Sequence, residues 1–293
     1  MKAKFILYIS GGTMTGVFGA GVVSSLQDLD LYDRIEAIYS ASAGTITAAY
    51  FTARQSRLGS SIFYEDLTHN FVSITKFYKG IWDRIKAGLQ ESKSHDHFRD
   101  ALNIDYLFRV ITQKKVLDIR AVVNQPIPIY TKLLNLKTKQ IEYFDIRKGD
   151  TLALLRASVL LVPYVHEVYE SMDNKYTDAA LIEPLGLKYI ANTYPNRKIV
   201  VIFNLPLERK LRYKFKNLIE GQIMSYMYDK TFYPLLAQVE DKLRDELTAI
   251  RENPKMVLLH PGSDSPTRSR TTDFKKLRAT YQQGVDAGKS LVL

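Results

Sequence analysis

Ile35-Glu-Ala-Ile-Tyr39-Ser40-Ala41-Ser42-Ala43-Gly44-Thr-Ile-Thr-Ala-Ala-Tyr50-Phe-Thr-Ala-Arg54 is the stretch on which the reading of this chain turns. Ile35 to Tyr39 is short and largely apolar and reads as a strand. Ala43 to Arg54, rich in small residues, reads as a helix. The pentapeptide Ser40-Ala41-Ser42-Ala43-Gly44 lies at the junction, in the strand-to-helix setting of a nucleophile elbow. A sharp turn there lifts the middle serine into a strained, exposed position. Small residues two places to either side, Ser40 and Gly44, keep strand and helix from colliding. The helix N-terminus adds partial positive charge beside the hydroxyl, which favours an alkoxide-like nucleophile. Taken alone, the pentapeptide reads first as an ordinary small-residue turn, because the elbow's first glycine is missing.

Working towards the N-terminus, Lys4 to Ile9 is a largely apolar run that predicts a buried strand, and Val17 to Leu29 has helical spacing. Strand, turn, helix, strand, turn, helix is the opening of a parallel α/β sheet. The first turn, Ser10-Gly11-Gly12-Thr13-Met14-Thr15-Gly16, is glycine-rich. Glycines allow a tight bend and present unobstructed amides, and amides converging at a helix N-terminus suit an oxyanion. A phosphate or dinucleotide loop is the rival reading. The stretch lacks both a Gly-x-Gly-x-x-Gly followed by a suitable acid and a closing Lys-Ser/Thr. A plain structural turn has the same composition.

Working towards the C-terminus, residues 55–120 are polar and mixed and read as helices and loops covering a site. Pro126–Leu136 and Gln140–Phe144 predict two strands joined near Lys137, and Asp150–Val159 predicts a helix. Val165–Tyr169 and Lys175–Asp178 predict a hairpin around Asp173-Asn174, a good turn pair. Asp178, in Tyr176-Thr177-Asp178-Ala179-Ala180, ends that hairpin. An aspartate at a strand end between small residues can reach an active-site serine; in isolation it reads as a capping residue. Lys198–Phe203 predicts another sheet strand. Arg209–Arg251 is helical in pattern, with Pro234 as a kink or boundary. Met256–Leu259 predicts a late strand and Asp273–Lys289 a final amphipathic helix. No linker divides residues 1–293, so one domain is expected, with a C-terminal helical part over about 205–293.

The chain has 293 residues, 46% hydrophobic and 25% charged, which suits a folded, core-forming protein. It has no cysteine, which excludes disulfides, thiolate metal sites and a cysteine nucleophile. No stretch reaches the roughly 18 apolar residues needed to span a bilayer. Met1 to Ser10 imitates a signal peptide, but its apolar part is too short and runs into Gly11-Gly12. Export by that route is not expected, and a cytoplasmic location is. The net charge of +10 favours anionic partners, with Arg209, Lys210, Arg212, Lys214 and Lys216 concentrated in one stretch. The same charge can serve as a solvated, solubilising surface.

Glycine loop, serine elbow and aspartate follow one another in an order that resembles the patatin-like phospholipase family. That family's pattern is Gly-Gly-Gly-x-Arg/Lys-Gly, Gly-x-Ser-x-Gly and Asp-Gly-Gly/Ala. Ile9 to Val22 is similar to its loop and following helix. Arg156-Ala-Ser158, Pro163 and Val165–Pro184 are similar to the segment through its aspartate, and Thr272–Lys289 to the C-terminal part of bacterial members. The resemblance is weakest over 71–124 and 205–253. It implies a three-layer α/β/α fold with a mostly parallel central sheet. It also implies a lipid acyl hydrolase working through a Ser-Asp dyad and an acyl-enzyme. In this sequence Ser42 would be the nucleophile, Asp178 the general base, and the amides of Gly11, Gly12 and Thr13 the oxyanion hole. No histidine, metal or other cofactor is required. The expected partner is a lipid or fatty-acyl ester, with peripheral contact to an anionic membrane surface.

The sequence departs from the pattern at four places. Thr13, Thr15, Ser40 and Ala179 stand where the family has Gly, Arg/Lys, Gly and Gly. A catalytically weakened or inactive lipid-binding relative is therefore the alternative. An α/β-hydrolase triad could draw on His260, which follows Asp178 in the right order, but the serine comes early for that fold. His95-Asp-His97 is the only metal-like spacing and reads as a loop. No nucleic-acid recognition motif appears, and no nucleic-acid partner is expected.

Overall fold

The computed structural model describes residues 4–73, 100–207 and 213–291, with the backbone alone over 213–216. His95 and His97 lie outside the described residues, as do Arg209, Lys210 and Arg212. The chain opens with β1 (Phe5–Ile9), a single 3-10 turn over Thr13–Gly16 and α1 (Val17–Asp28). β2 (Ile35–Ser40) and α2 (Ala43–Thr52) follow, then α3 (Ser56–Ser61) with a π-turn over Ile62–Asp66. α4 (Ile104–Arg109) and α5 (Ile119–Asn124) lead into β3 (Ile129–Asn135), β4 (Ile141–Asp145) and α6 (Thr151–Ser158). The rest is β5 (Tyr169–Ser171), β6 (Asn174–Asp178), α7 (Leu187–Thr193), β7 (Lys198–Ile202), α8 (Tyr213–Met227), α9 (Phe232–Ala237), α10 (Val239–Glu252), β8 (Met256–Leu259) and α11 (Phe274–Lys289).

Among the described residues eight strands form one sheet in the order β5-β6-β3-β2-β1-β7-β8, with β4 on the remaining side of β3. The pairs β1–β2, β1–β7, β2–β3 and β7–β8 are parallel, and β4, β5 and β6 join antiparallel. Alternation along β1 sends Phe5, Leu7 and Ile9 to one face and Ile6 and Tyr8 to the other. The first face packs on α1, α2 and α11, where Phe18, Tyr50 and Leu277 are buried; the second packs on α7 and α10, where Ile190 and Leu243 are buried. Helices on both faces of a mostly parallel sheet make a three-layer α/β/α arrangement, as the family resemblance implies.

Three expectations shift. The hairpin turns at Met172-Asp173 rather than Asp173-Asn174, because Ser171 pairs with Asn174 and both loop residues take positive φ, 48° and 61°. A two-residue turn of that kind matches the right-handed twist of the strands it joins. Its first strand is also shorter than Val165–Tyr169. The backbone there is committed elsewhere, with Tyr164 O accepting from Ala101 N and His166 N donating to Asp100 Oδ1. Pro234 breaks nothing. It sits in the first turn of α9, where an N–H would have no intrahelical partner, and the chain instead breaks over residues 228–231. α7 was not foreseen.

Candidate active site

Ser42 sits at φ 53°, ψ −135°, a conformation that costs a non-glycine residue about 1–3 kcal/mol, and it forms the N-cap of α2. The strain is held by close packing. A β-carbon on Gly44 would stand 2.4 Å from Ile9 O and 2.6 Å from Ser10 O, so only glycine lets α2 start this close to β1. Ser40 is accommodated where the family has glycine: its buried hydroxyl bonds Thr45 Oγ1 and Tyr130 O, both at 3.2 Å. Thr45 Oγ1 in turn meets Thr131 Oγ1 at 2.9 Å, tying the elbow to β3.

The glycine loop lies against the elbow. A β-carbon on Gly11 would come within 2.7 Å of Ser42 Cβ and 3.4 Å of Ser42 Oγ. Gly12 (φ 152°) and Thr13 (φ 49°) both take positive φ, so threonine at position 13 adopts the conformation that a glycine would take without strain. Thr15, at the family's basic position, is buried and donates its hydroxyl to Gly12 O at 2.7 Å. Among the described residues the N–H groups of Gly11, Gly12 and Thr13 have no hydrogen-bond acceptor. The carbonyl side of the Gly11 and Gly12 peptide groups is taken up by Asn204, a buried residue just beyond β7, and that of Thr13 by Thr15. Asn204 Nδ2 donates to Ser10 O (2.7 Å) and Gly11 O (3.1 Å), and its Oδ1 accepts from Gly19 N (2.8 Å). Asn204 fixes which way these peptides face, and sequence reasoning passed over it. The available signal was an asparagine immediately after a predicted sheet strand.

Asp178 reaches the same place through β3. Thr131 pairs with Ser40 on one side and Phe144 on the other; Leu133 pairs with Asp178 on one side and Glu142 on the other. Since β4 takes one edge of β3, β2 and β6 share the other edge in succession and run towards each other. Their C-terminal ends meet two residues apart along β3, roughly 7 Å by strand rise. Asp178 is fully buried. Its Oδ1 accepts from Ala180 N at 2.9 Å, so it is also the capping residue of a 3-10 turn over Ala179–Leu181. Ala179 does not require positive φ, so the missing glycine costs nothing there.

Burial pushes the Asp178 carboxyl up to about 6, against the opposing pull of the Ala180 amide, the Ser42 hydroxyl and the Lys132 ammonium. The Ser42 hydroxyl is thus one of the groups that favour the ionised Asp178, while Oδ2 has no hydrogen-bond partner among the described residues. Lys132, beside Leu133 on β3, is completely buried and donates to Glu183 O at 2.6 Å, with Glu183 Oε2 at 3.6 Å. Burial lowers its pKa. It is the second residue that sequence reasoning missed.

Two cavities open at Ser42. One is a cleft lined by Gly11, Gly12, Thr13, Ser42 and Asp178 together. The other is more enclosed and apolar, and shares Thr13, Ser42 and Leu161 with the first. Ile46, Tyr50, Phe63, Leu67, Phe71 and Leu107 are among its walls. The residues from the mixed stretch 55–120 that are described therefore help build this pocket. His260 lines neither cavity, and its Nδ1 lies 2.9 Å from Pro261 O. Among the described residues no group of three acidic, His or Cys side chains could hold a metal ion, and no helix is long and apolar enough to cross a membrane.

A family model described as patatin-like phospholipase matches residues 7–190. No curated protein matches the chain. Among solved structures, VipD from Legionella pneumophila is similar at 11% identity with a TM-score of 0.47, over 99% of this chain and 66% of that one. The type III effector protein ExoU is similar at 12% identity with a TM-score of 0.42, over 97% of this chain and 52% of that one. Full-length ExoU in complex with SpcU, from the type III secretion system of Pseudomonas aeruginosa, is similar at 11% identity with a TM-score of 0.31, over 82% of this chain and 52% of that one. The chain thus spans about two thirds of VipD and about half of ExoU.

Proposed function

We propose a function for a chain that belongs to the patatin-like phospholipase family: it is a lipid acyl hydrolase that cleaves carboxylic esters with Ser42 as nucleophile and Asp178 as general base. One observation carries the reading. Ser42, Asp178 and the unpaired amides of Gly11, Gly12 and Thr13 line a single cleft, although more than 130 residues separate the serine from the aspartate.

The chemistry follows from these groups. Asp178 is ionised at neutral pH, with a pKa of about 6 that suits a base better than an ordinary carboxylate does. It takes the Ser42 proton as Oγ attacks the ester carbonyl. Charge develops on the carbonyl oxygen, where the amides of Gly11, Gly12 and Thr13 stabilise it; one lost donor in such a hole costs about 100- to 1,000-fold. The alcohol leaves with the proton held by Asp178, and the acyl group stays on Ser42. A water molecule, deprotonated by Asp178, then releases the fatty acid. Contacts between nucleophile and base commonly tighten when substrate enters. The apolar pocket beside Ser42 suits the acyl chain by its lining, and its free volume of about 40 Å³ must widen to take a long one. The net charge of +10 supports peripheral contact with anionic membrane surfaces, read out as flotation with anionic but not neutral liposomes.

Hydrolysis of p-nitrophenyl esters of graded chain length by wild type, Ser42→Ala and Asp178→Asn tests the proposal. Wild type turns over the esters and is labelled by a fluorophosphonate, and both variants lose at least about 1,000-fold in rate. Wild type without turnover or labelling would instead point to a lipid-binding relative that has lost catalysis.

A further inference from the structure

The cleft that holds Ser42 and Asp178 has a second, polar end. Asn217 and Glu220 on α8 and Glu240 on α10 line it, and they are 6%, 7% and 2% exposed. Glu240 Oε1 accepts from Arg244 Nη2 at 2.6 Å, while its Oε2 has no hydrogen-bond partner among the described residues. Asn217 Nδ2 has none either. Glu220 accepts from the Tyr164 hydroxyl. Leaving a buried carboxylate oxygen or amide unmatched is costly, and native structures rarely do so. An acceptor and a donor, both unmatched and both on residues that line the cleft, point to a partner that arrives from outside once their side chains turn towards it.

The lining chooses the partner's charge. In a protein with a net charge of +10, the described residues of this cleft include the carboxylates Asp178, Glu220 and Glu240 and no lysine or arginine. A terminal anion is repelled here, and a cation that carries N–H donors is attracted. The apolar pocket on the other side of Ser42 takes the acyl chain, so the alcohol part of the ester extends into this end.

We propose that Asn217 and Glu240 form a headgroup subsite for a lipid bearing a primary ammonium, of the phosphoethanolamine type. Glu240 Oε2 accepts from the ammonium, and Asn217 Nδ2 donates to a phosphodiester oxygen. The assignment rests on the ester-hydrolase reading of Ser42 and Asp178.

Calorimetric binding to the Ser42→Ala protein tests it without turnover, using monomeric lysophosphatidylethanolamine, lysophosphatidylcholine and lysophosphatidylglycerol. Choline keeps the positive charge but has no N–H, and glycerol has no cation. The ethanolamine lipid binds about tenfold more tightly than either of the others, the value of one charge-assisted hydrogen bond. Adding Glu240→Gln brings the ethanolamine and choline lipids to within about twofold of each other. Adding Asn217→Ala instead weakens both by a similar factor of three to ten and leaves their ratio in place. Equal binding of the three lipids to the Ser42→Ala protein overturns the proposal, as does a preference that survives Glu240→Gln. If Glu240→Gln fails to fold, the glycerol comparison and Asn217→Ala decide alone. Glycerol lipid bound as tightly as ethanolamine lipid, or choline and ethanolamine lipids unaffected by Asn217→Ala, refutes the subsite. Failure of the underlying hydrolase reading is separately visible, as absence of p-nitrophenyl butyrate turnover by protein with its native Ser42.

Discussion

Asp178→Asn should make the protein more stable while removing its activity, and the gain should depend on pH. Burial holds the Asp178 carboxyl at about 6, against an ordinary 3.8. Between those values the folded protein keeps a proton that the unfolded chain releases, so stability falls as pH rises through the window. By pH 8 the ionised, buried carboxylate costs about 3 kcal/mol relative to a neutral group; at pH 4.5 the cost is about 1 kcal/mol. Asparagine is neutral throughout, has the same shape and keeps an oxygen for the Ala180 amide, which Asp178 Oδ1 now holds at 2.9 Å. Denaturant titration at pH 8 should therefore show Asp178→Asn more stable by about 3 kcal/mol, equivalent to roughly 6 °C in Tm for a chain of this size. At pH 4.5 the difference should shrink to about a third. A variant no more stable than wild type at pH 8, or equally stabilised at both pH values, would refute the account of Asp178 as a carboxylate strained by burial. Functional groups held in unfavourable surroundings commonly show this opposition of stability and activity.

Other outcomes follow from the same geometry. With Asp178 as the proposed base, kcat/KM for a neutral ester should climb with pH through an apparent pKa of about 6 and fall about tenfold per unit below it, as for a base that works only when ionised. Lys132→Met removes a buried cation that favours the ionised form and should move that inflection upward; an unmoved limb would separate Lys132 from the base. Asn204→Asp keeps the acceptor for Gly19 N but loses both donors to the glycine-loop carbonyls. Its kcat should fall about 100-fold with little change in KM, because the oxyanion amides lose their orientation. Leu107→Trp fills the apolar pocket beside Ser42 and should shift preference from long to short acyl esters, read as the ratio of rates on p-nitrophenyl palmitate and butyrate. His260→Ala should leave p-nitrophenyl butyrate hydrolysis within about twofold of wild type, as His260 touches neither cavity; a dead variant would favour a Ser-His-Asp triad.

The first 54 residues were legible because their structure is local. Apolar runs, a glycine-rich turn and small residues at fixed spacing determine β1, α1, β2, the elbow and α2 to within two residues. Pattern also placed Asp178 at the end of a strand. It did not place that end beside the serine, which depends on β2 and β6 sharing one edge of β3, a matter of register between residues 91 apart (Ser40 and Thr131) and 45 apart (Leu133 and Asp178). The chain likewise announced a threonine where a loop favours glycine, but only the backbone at Thr13 shows that positive φ is in fact demanded.

By itself, then, the order of residues determined an α/β chain with a candidate nucleophile, a candidate base and a loop of free amides, since each of those signals is carried by neighbours within a few positions. The tertiary structure alone decided what surrounds them. Lys132 under the base, Asn204 behind the loop, and Asn217 and Glu240 at the far end of the cleft carry no local signature, because what gives each its meaning is burial against partners distant in the chain or a missing one. A polar side chain in water differs little from one residue to the next; withdrawn from water, it must find a partner or await one, and only packing determines which.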